Sequence, residues 1–295
     1  MSTTEVVPSI SVQRILLATD FSIASEKAAL YARALAKRFS SLVELAHVFD
    51  PSRVATYEDA VLGLPVGERR QNSRDSLEQL RNQFVSSGVE TRTVSLEGHH
   101  PVSELLRVAK EQQIDLIVAG TTSKQGVERL LLGSTAEQLI RSATCPVLTV
   151  GPYTALIAEA PLAFHAIIYA TDLTPRAAKA ALFAVSFAED TGGRLYLCHV
   201  CDSSIESSAQ DTPSEKTFES LLRKMIPRSS YDWCNPESIV EHGDVSEAIL
   251  SLAVRVKADL IVLGARHSSF WLTHVERGLT SELLAQAACP VMTVC

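Results

Sequence analysis

Arg14–Phe39 reads RILLATDFSIASEKAALYARALAKRF, and Ala166–Thr191 reads AIIYATDLTPRAAKAALFAVSFAEDT. Each stretch opens with a short apolar run, Ile15–Ala18 in the first, that is too continuous for a half-exposed strand. A run of that kind is expected of a parallel strand covered on both faces. In the first stretch Ala28, Ala32, Leu35 and Phe39 then recur at helical spacing. Between strand and helix stands the same Ala-Thr-Asp triplet, followed by a capping residue, Ser22 in one stretch and Thr174 in the other. Pro175 falls at the first helical position of the second stretch, a favoured helix start.

The echo continues along the chain. LVELAHVFD, ending at Asp50, answers LYLCHVCD, ending at Asp202; IDLIVAG, ending at Gly120, answers ADLIVLG, ending at Gly264; CPVLTV from Cys145 answers CPVMTV from Cys289. The offset is 152 at Asp20/Asp172 and His47/His199, and 144 at Asp115/Asp259 and Cys145/Cys289. One step in a constant offset means a duplicated unit with a single length change between His47 and Asp115. Gly151–Ala163, with its glycine, two prolines and small residues, reads as the linker between residues 1–150 and 164–295. Within the first copy the pattern predicts strands at Ile15–Ala18, Leu42–Val48, Val89–Leu96, Leu116–Ala119 and Val147–Val150. Helices are predicted at Glu68–Ser87, Pro101–Gln112 and Ser134–Ser142, besides the one after Ser22. Alternating strands and helices require parallel pairing with right-handed crossovers. The fold class is therefore α/β: two tandem doubly wound parallel-sheet sandwiches.

Bulk properties bound the function. The 295 residues accommodate two domains, and 46% hydrophobic content suffices for two cores. A net charge of -7 argues against a nucleic-acid partner, which calls for a basic face. Residues 1–14 lack a basic segment followed by an apolar one, and no apolar run approaches the ~18 residues of a membrane span. A cytoplasmic protein without a membrane partner is expected. Six cysteines in a chain this long do not form a disulfide scaffold.

In an open α/β sheet, ligands bind beyond the carboxyl ends of the strands near the topological switch point. Two segments lie there: Ala18–Ser22, and GTTSKQGVERLLLGST from Gly120 to Thr135. Glycines beside the amides of a helix N-terminus form a phosphate cradle. At this place the chain resembles the universal stress protein family. ATP-binding members carry Gly, two residues, Gly, nine residues, Gly, Ser/Thr, and this chain has Gly120, two residues, Ser123, nine residues, Gly133, Ser134. ATDFS, AHVFD, DLIVAG and CPVLTV stand in the family's order, and the resemblance covers nearly the whole chain. It implies an adenine nucleotide alpha hydrolase-like fold and a non-enzymatic stress-response regulator that binds ATP or a related adenine nucleotide, with no metal site of its own. By position, Ala18, Thr19 and Asp20 would line the adenosine side and Val48 would offer backbone to the adenine. Gly120, Ser123, Gly133, Ser134 and Thr135 would wrap ribose and phosphates. In the second copy Asp172, Val200 and Gly264 remain, but His267, Arg277 and Gly278 stand where the motif needs Gly, Gly and Ser. That site is expected to be degenerate. The resemblance also implies that Val147–Val150 and Val291–Val294 pair edge to edge as an internal pseudo-dimer. A homodimer of the whole chain and the identity of a protein partner stay open.

Plainer roles stand beside these. Ser134 and Glu137 fit the S-x-x-E capping box, and Asp20 fits a turn acceptor. His47 and His199 at strand ends read as structural, and Asp115 and Asp259 as turn acceptors. The spacing of Cys198 and Cys201 within a strand sends their side chains to opposite faces, against a redox pair. His99 and His100 lack a third metal ligand. The Ser203–Lys216 stretch reads as a solvated loop, with a lid over the second site as the other choice. Two further functions compete with the regulator: an interaction module that has lost its nucleotide, and an enzyme. HxGH and SGGxDS phosphate signatures are absent, and Lys124 is the nearest cation to the first cradle, which leaves a slow ATPase as the enzymatic case.

Overall fold

The computed structural model describes residues 10–52, 63–121, 133–157, 162–174, 177–201, 214–234, 236–264 and 279–294. The first repeat runs β1 (Arg14–Ala18), α1 (Ile23–Phe39), β2 (Leu42–Phe49), α2 (Val66–Ser86), β3 (Thr91–Glu97), α3 (Pro101–Glu111), β4 (Leu116–Gly120), α4 (Ser134–Ser142) and β5 (Val147–Val150). The second runs β6 (Ala166–Ala170), α5 (Ala178–Thr191), β7 (Arg194–Cys201), α6 (Glu215–Lys224), β8 (Glu237–His242), α7 (Val245–Val256), β9 (Leu260–Gly264), α8 (Leu279–Gln286) and β10 (Val291–Val294). In the first repeat the sequence placed every strand and helix within about two residues of these bounds. In the second, the sequence predicts the helix start at Pro175. Pro175 lies outside the described residues, α5 begins at Ala178, and the carbonyl of Thr174 accepts the first turn's bond from Ala177 N–H at 3.0 Å.

All ten strands form one sheet in the order β3-β2-β1-β4-β5-β10-β9-β6-β7-β8. Pairing is parallel within each repeat and antiparallel at β5–β10, where Val147, Leu148 and Thr149 face Thr293, Met292 and Val291. Thr149 Oγ1 donates to Val291 O at 3.0 Å, and Thr293 Oγ1 to Val147 O at 3.3 Å, so two threonines staple the seam from opposite sides. The expected edge-to-edge pairing is thus present inside one chain. It covers the strand edge that each repeat alone would leave open.

Alternate residues of each central strand face opposite layers. Ile15 and Leu17 join a core with α1, α2, α5 and α6, while Leu16 and Ala18 join a core with α3, α4, α7 and α8. Burial on both sides explains the unbroken apolar runs. Both cores cross the repeat boundary through Leu148 and Met292 on one face, and Val147 and Val291 on the other. At the junction Arg38 of α1 pairs with Asp190, its counterpart one offset later, and the rings of Phe39 and Phe187 meet edge-on at 5.6 Å. Among the described residues no helix is long and apolar enough to cross a membrane.

Candidate functional site

The connections decide where a ligand fits. From β1 the chain crosses over α1 to β2, on the α1 face; from β4 it crosses over α4 to β5, on the opposite face. β1 and β4 are neighbours, with Ala18 opposite Ala119, so their carboxyl ends part to opposite sides and leave a crevice. Thr19 and Asp20 stand on one lip, Gly120 and Thr121 on the other. β2 outruns β1: Ala46 is its last residue paired there, and Val48 projects beyond at the same end of the sheet.

The lip at Asp20 is a tightly bonded turn. Thr19 N–H donates to Ala46 O at 3.0 Å, and Thr19 Oγ1 accepts the N–H of Phe21 at 3.1 Å. Phe21 sits at φ +61°, a left-handed conformation that disfavours side-chain-bearing residues by roughly 1–2 kcal/mol. That turn aims three donors at one carboxylate oxygen, Asp20 Oδ1: Ser22 N–H at 3.1 Å, Ser22 Oγ at 2.6 Å and Ser25 Oγ at 2.7 Å. Oδ2 accepts none among the described residues. Partial burial pushes the Asp20 carboxyl up, but the hydroxyls of Ser22 and Ser25 and the Ser22 amide outweigh it and hold the group below the ordinary range. Ser22 also caps α1 by accepting Ser25 N–H, so both the capping and the turn readings hold.

On the other lip, α4 begins at Ser134 with Gly133 at the N-cap, and no side chain caps it. The capping box expected of Ser134 and Glu137 is not formed. The chain enters the helix one residue earlier than that motif requires, so Ser134 occupies the first helical position and Glu137 N–H bonds Gly133 O. The first-turn amides of Ser134, Thr135 and Ala136 have no intrahelical partner by construction, and the helix dipole favours an anion there. Ser134 is exposed and Thr135 half-buried. Gly120 has a demand of its own: a Cβ there would lie 2.4 Å from the backbone C and O of Ala24. Glycine at this point lets α1 close onto β4. Ser123 and Lys124 lie outside the described residues.

The residues read as structural behave so in both repeats. His47 Nδ1 bonds Thr19 O at 2.8 Å and His199 Nδ1 bonds Thr171 O at 2.9 Å. Burial draws the His47 imidazole below its ordinary value against the opposing Thr19 carbonyl and Asp20 charge. Asp115 accepts the amides of Gln13 and Arg14, and Asp259 those of His165 and Ala166. Cys198 and Cys201 are buried, and desolvation pushes the Cys198 thiol up to about 12, far from a reactive thiolate. Among the described residues no three His, Cys, Asp or Glu side chains gather as metal ligands. His99 instead pairs with Asp50 at 2.9 Å.

The second repeat copies the turn with one loss. Asp172 Oδ1 accepts Thr174 N–H at 3.0 Å and Thr174 Oγ1 at 2.7 Å, and Leu173 repeats φ +61°. The position of Ser25 is taken by Ala177, which brings no hydroxyl. His267, Arg277 and Gly278 lie outside the described residues, as does most of Ser203–Lys216. Sequence reading missed Ser25 and the left-handed Phe21. The serine three residues beyond the cap was the visible signal for Ser25, whereas nothing in a phenylalanine announces positive φ.

The model of the universal stress protein family matches residues 11–151 and again 163–294. A universal stress protein of Methanocaldococcus jannaschii is 36% identical over 146 residues, which are 47% of this chain and 81% of that protein. The universal stress protein YxiE of Bacillus subtilis is 30% identical over 145 residues, 46% of this chain and 97% of that one. The crystal structure of a universal stress protein from Archaeoglobus fulgidus superposes with a TM-score of 0.71 at 19% identity, covering 97% of this chain and 99% of that one, and so shares the fold over both repeats. With both halves matched and joined in one sheet, this chain belongs to the universal stress protein family as a tandem pair of its domains.

Proposed function

We propose that the protein is a non-enzymatic regulator whose first repeat binds ATP or a related adenine nucleotide in the crevice between β1 and β4. The observation that carries this reading is the pairing of the two lips. One presents a preorganised carboxylate with Oδ2 unused, and the other presents helix amides that no side chain caps. Asp20 on the adenosine side supplies an acceptor for hydroxyl or amino donors, and Val48 supplies backbone to the base. Gly133, Ser134 and Thr135 supply N–H and O–H donors to the phosphates beside Gly120, and the role proposed for Ser123 falls outside the described residues. The residues fit a nucleotide better than a transferred phosphoryl group, because Gly133–Thr135 bring no cation to neutralise a transition state. In the second repeat, loss of the Ser25 hydroxyl and replacement of three motif positions leave a degenerate site.

Titration calorimetry with ATP tests the reading. Wild-type protein is expected to give saturable heat, and Asp20→Ala to weaken binding at least tenfold, which is about 1.4 kcal/mol. No saturable heat in the wild type would eliminate the proposal. One observation favours a second reading, a nucleotide-independent interaction module. The glycine at 120 is already demanded by the Ala24 backbone, so its presence does not require a ligand. Ser123→Gly separates the two readings, since a nucleotide site gains affinity from the restored glycine and an interaction module gains none.

A further inference from the structure

We propose that the groove between α1 and α2 of the first repeat binds a single-chain carboxylate, an apolar tail carrying one anionic head. The groove adjoins the nucleotide crevice at Thr19 and Ser25 but lies on the outer side of α1, and the proposal does not rest on the nucleotide reading. The groove encloses about 640 Å³, within the range of roughly 300–1,000 Å³ typical of small-molecule sites. Phe21, Leu30 and Leu80 give it an apolar floor, and Phe21 and Leu80 pack onto the core beneath. At its rim stand two of the most exposed large apolar side chains among the described residues, Ile23 at 78% and Leu156 at 68%.

The exposure of Leu156 is held in place. Tyr31 Oη donates to Ala155 O at 2.9 Å, Lys27 Nζ to Pro152 O at 2.6 Å, and Ala155 N–H to Ala288 O at 3.0 Å. A segment tied to α1 and to the second repeat keeps its leucine over the groove, so an apolar ligand would gain a preformed wall. The same bonds settle the electrostatics. Of the charged side chains lining the groove, Lys27 is engaged by linker carbonyls, and Glu26 is exposed on the first turn of α1 near Ile23. Arg33 is half-buried and has no partner among the described residues. Its guanidinium stands open to a ligand beside an apolar floor, and its planar fork matches a carboxylate. From Ile23 to Arg33 the helix advances about 15 Å, enough for an extended tail with its head at the arginine. Gln79 and Gln83 line the groove from α2 with amides that can join the head group. The second repeat has buried Val185 at the position of Arg33, so the site belongs to the first repeat alone.

The test is calorimetric titration of the full chain with dodecanoate below its micellar concentration, beside dodecyltrimethylammonium of the same tail. Dodecanoate is expected to saturate at one per chain and to bind at least tenfold tighter than the cation. Arg33→Gln is expected to weaken it at least tenfold, with Arg33→Lys recovering part, and Leu156→Ser to weaken it several-fold without altering circular dichroism. Dodecanoate is expected to saturate at one per chain in saturating ATP as well, which separates this site from the nucleotide reading. Absence of saturable heat, equal affinity in Arg33→Gln, or displacement by ATP would overturn the proposal. So would a dimer in sedimentation that Ile23→Asp dissociates, since a second copy would then cover the groove. Co-sedimentation with phosphatidylglycerol vesicles that Arg33→Gln abolishes would likewise replace the free carboxylate by a membrane surface.

Discussion

Asp20 and Asp172 begin as the same residue in the same turn, and a single hydroxyl separates them. Ser25 adds a third donor to Asp20 Oδ1, where Ala177 adds none to Asp172. Because the folded Asp20 carboxyl is held below its unfolded value of about 3.9, the stability it contributes is present above that value. It is lost as pH falls through the folded value. Ser25→Ala is expected to move the Asp20 titration upward, to begin that loss at higher pH, and to destabilise the fold by about 1 kcal/mol at neutral pH. Carbon-detected NMR of the aspartate carboxyls during a pH titration reads the shift directly, and an unmoved Asp20 resonance would refute the positioning role. At this scale the sequence was only partly legible. Asp20 and Ser22 announced a turn and a cap, because short polar side chains beside a strand end bond to local backbone. Phe21 gave no sign, since positive φ at a bulky residue is imposed by the bonds around it. Ser134 misled: the S-x-x-E pattern is satisfied in letters, but Gly133 takes the cap position.

Elements were the most legible scale, for a physical reason. Strands covered on both faces leave continuous apolar runs, and their boundaries appear wherever the run stops. The packing between elements was hidden, because a contact such as Gly120 against Ala24 joins residues far apart in the chain. Gly120→Ala would force a Cβ to within 2.4 Å of helix backbone, and backbone cannot rotate away. Overpacking of this kind destabilises by about 1–3 kcal/mol, and this position belongs at the upper end. Gly264→Ala is expected to be milder, because the nearest atom there is the Ala177 Cβ at 3.1 Å. Urea unfolding of the two variants side by side measures the difference, and equal destabilisation would contradict the packing account. The groove under Leu156 was equally unreadable, since it needs α1, α2 and the segment after β5 brought together.

At the scale of the whole molecule, duplication and divergence act together. The repeat was legible from its offset, and the β5–β10 seam was implied by the family resemblance and is present in one chain. Joining the repeats in one sheet fixes the scaffold while leaving each crevice to change by itself. The first keeps its donors; the second has lost one at Ala177 and carries His267, Arg277 and Gly278 at motif positions. The account therefore predicts an asymmetric protein with two like folds and one working crevice. Native mass spectrometry with ATP counts the bound nucleotides directly. One nucleotide per chain, lost in Asp20→Ala and kept in Asp172→Ala, is the predicted result. Two per chain, none, or loss in Asp172→Ala alone would contradict it.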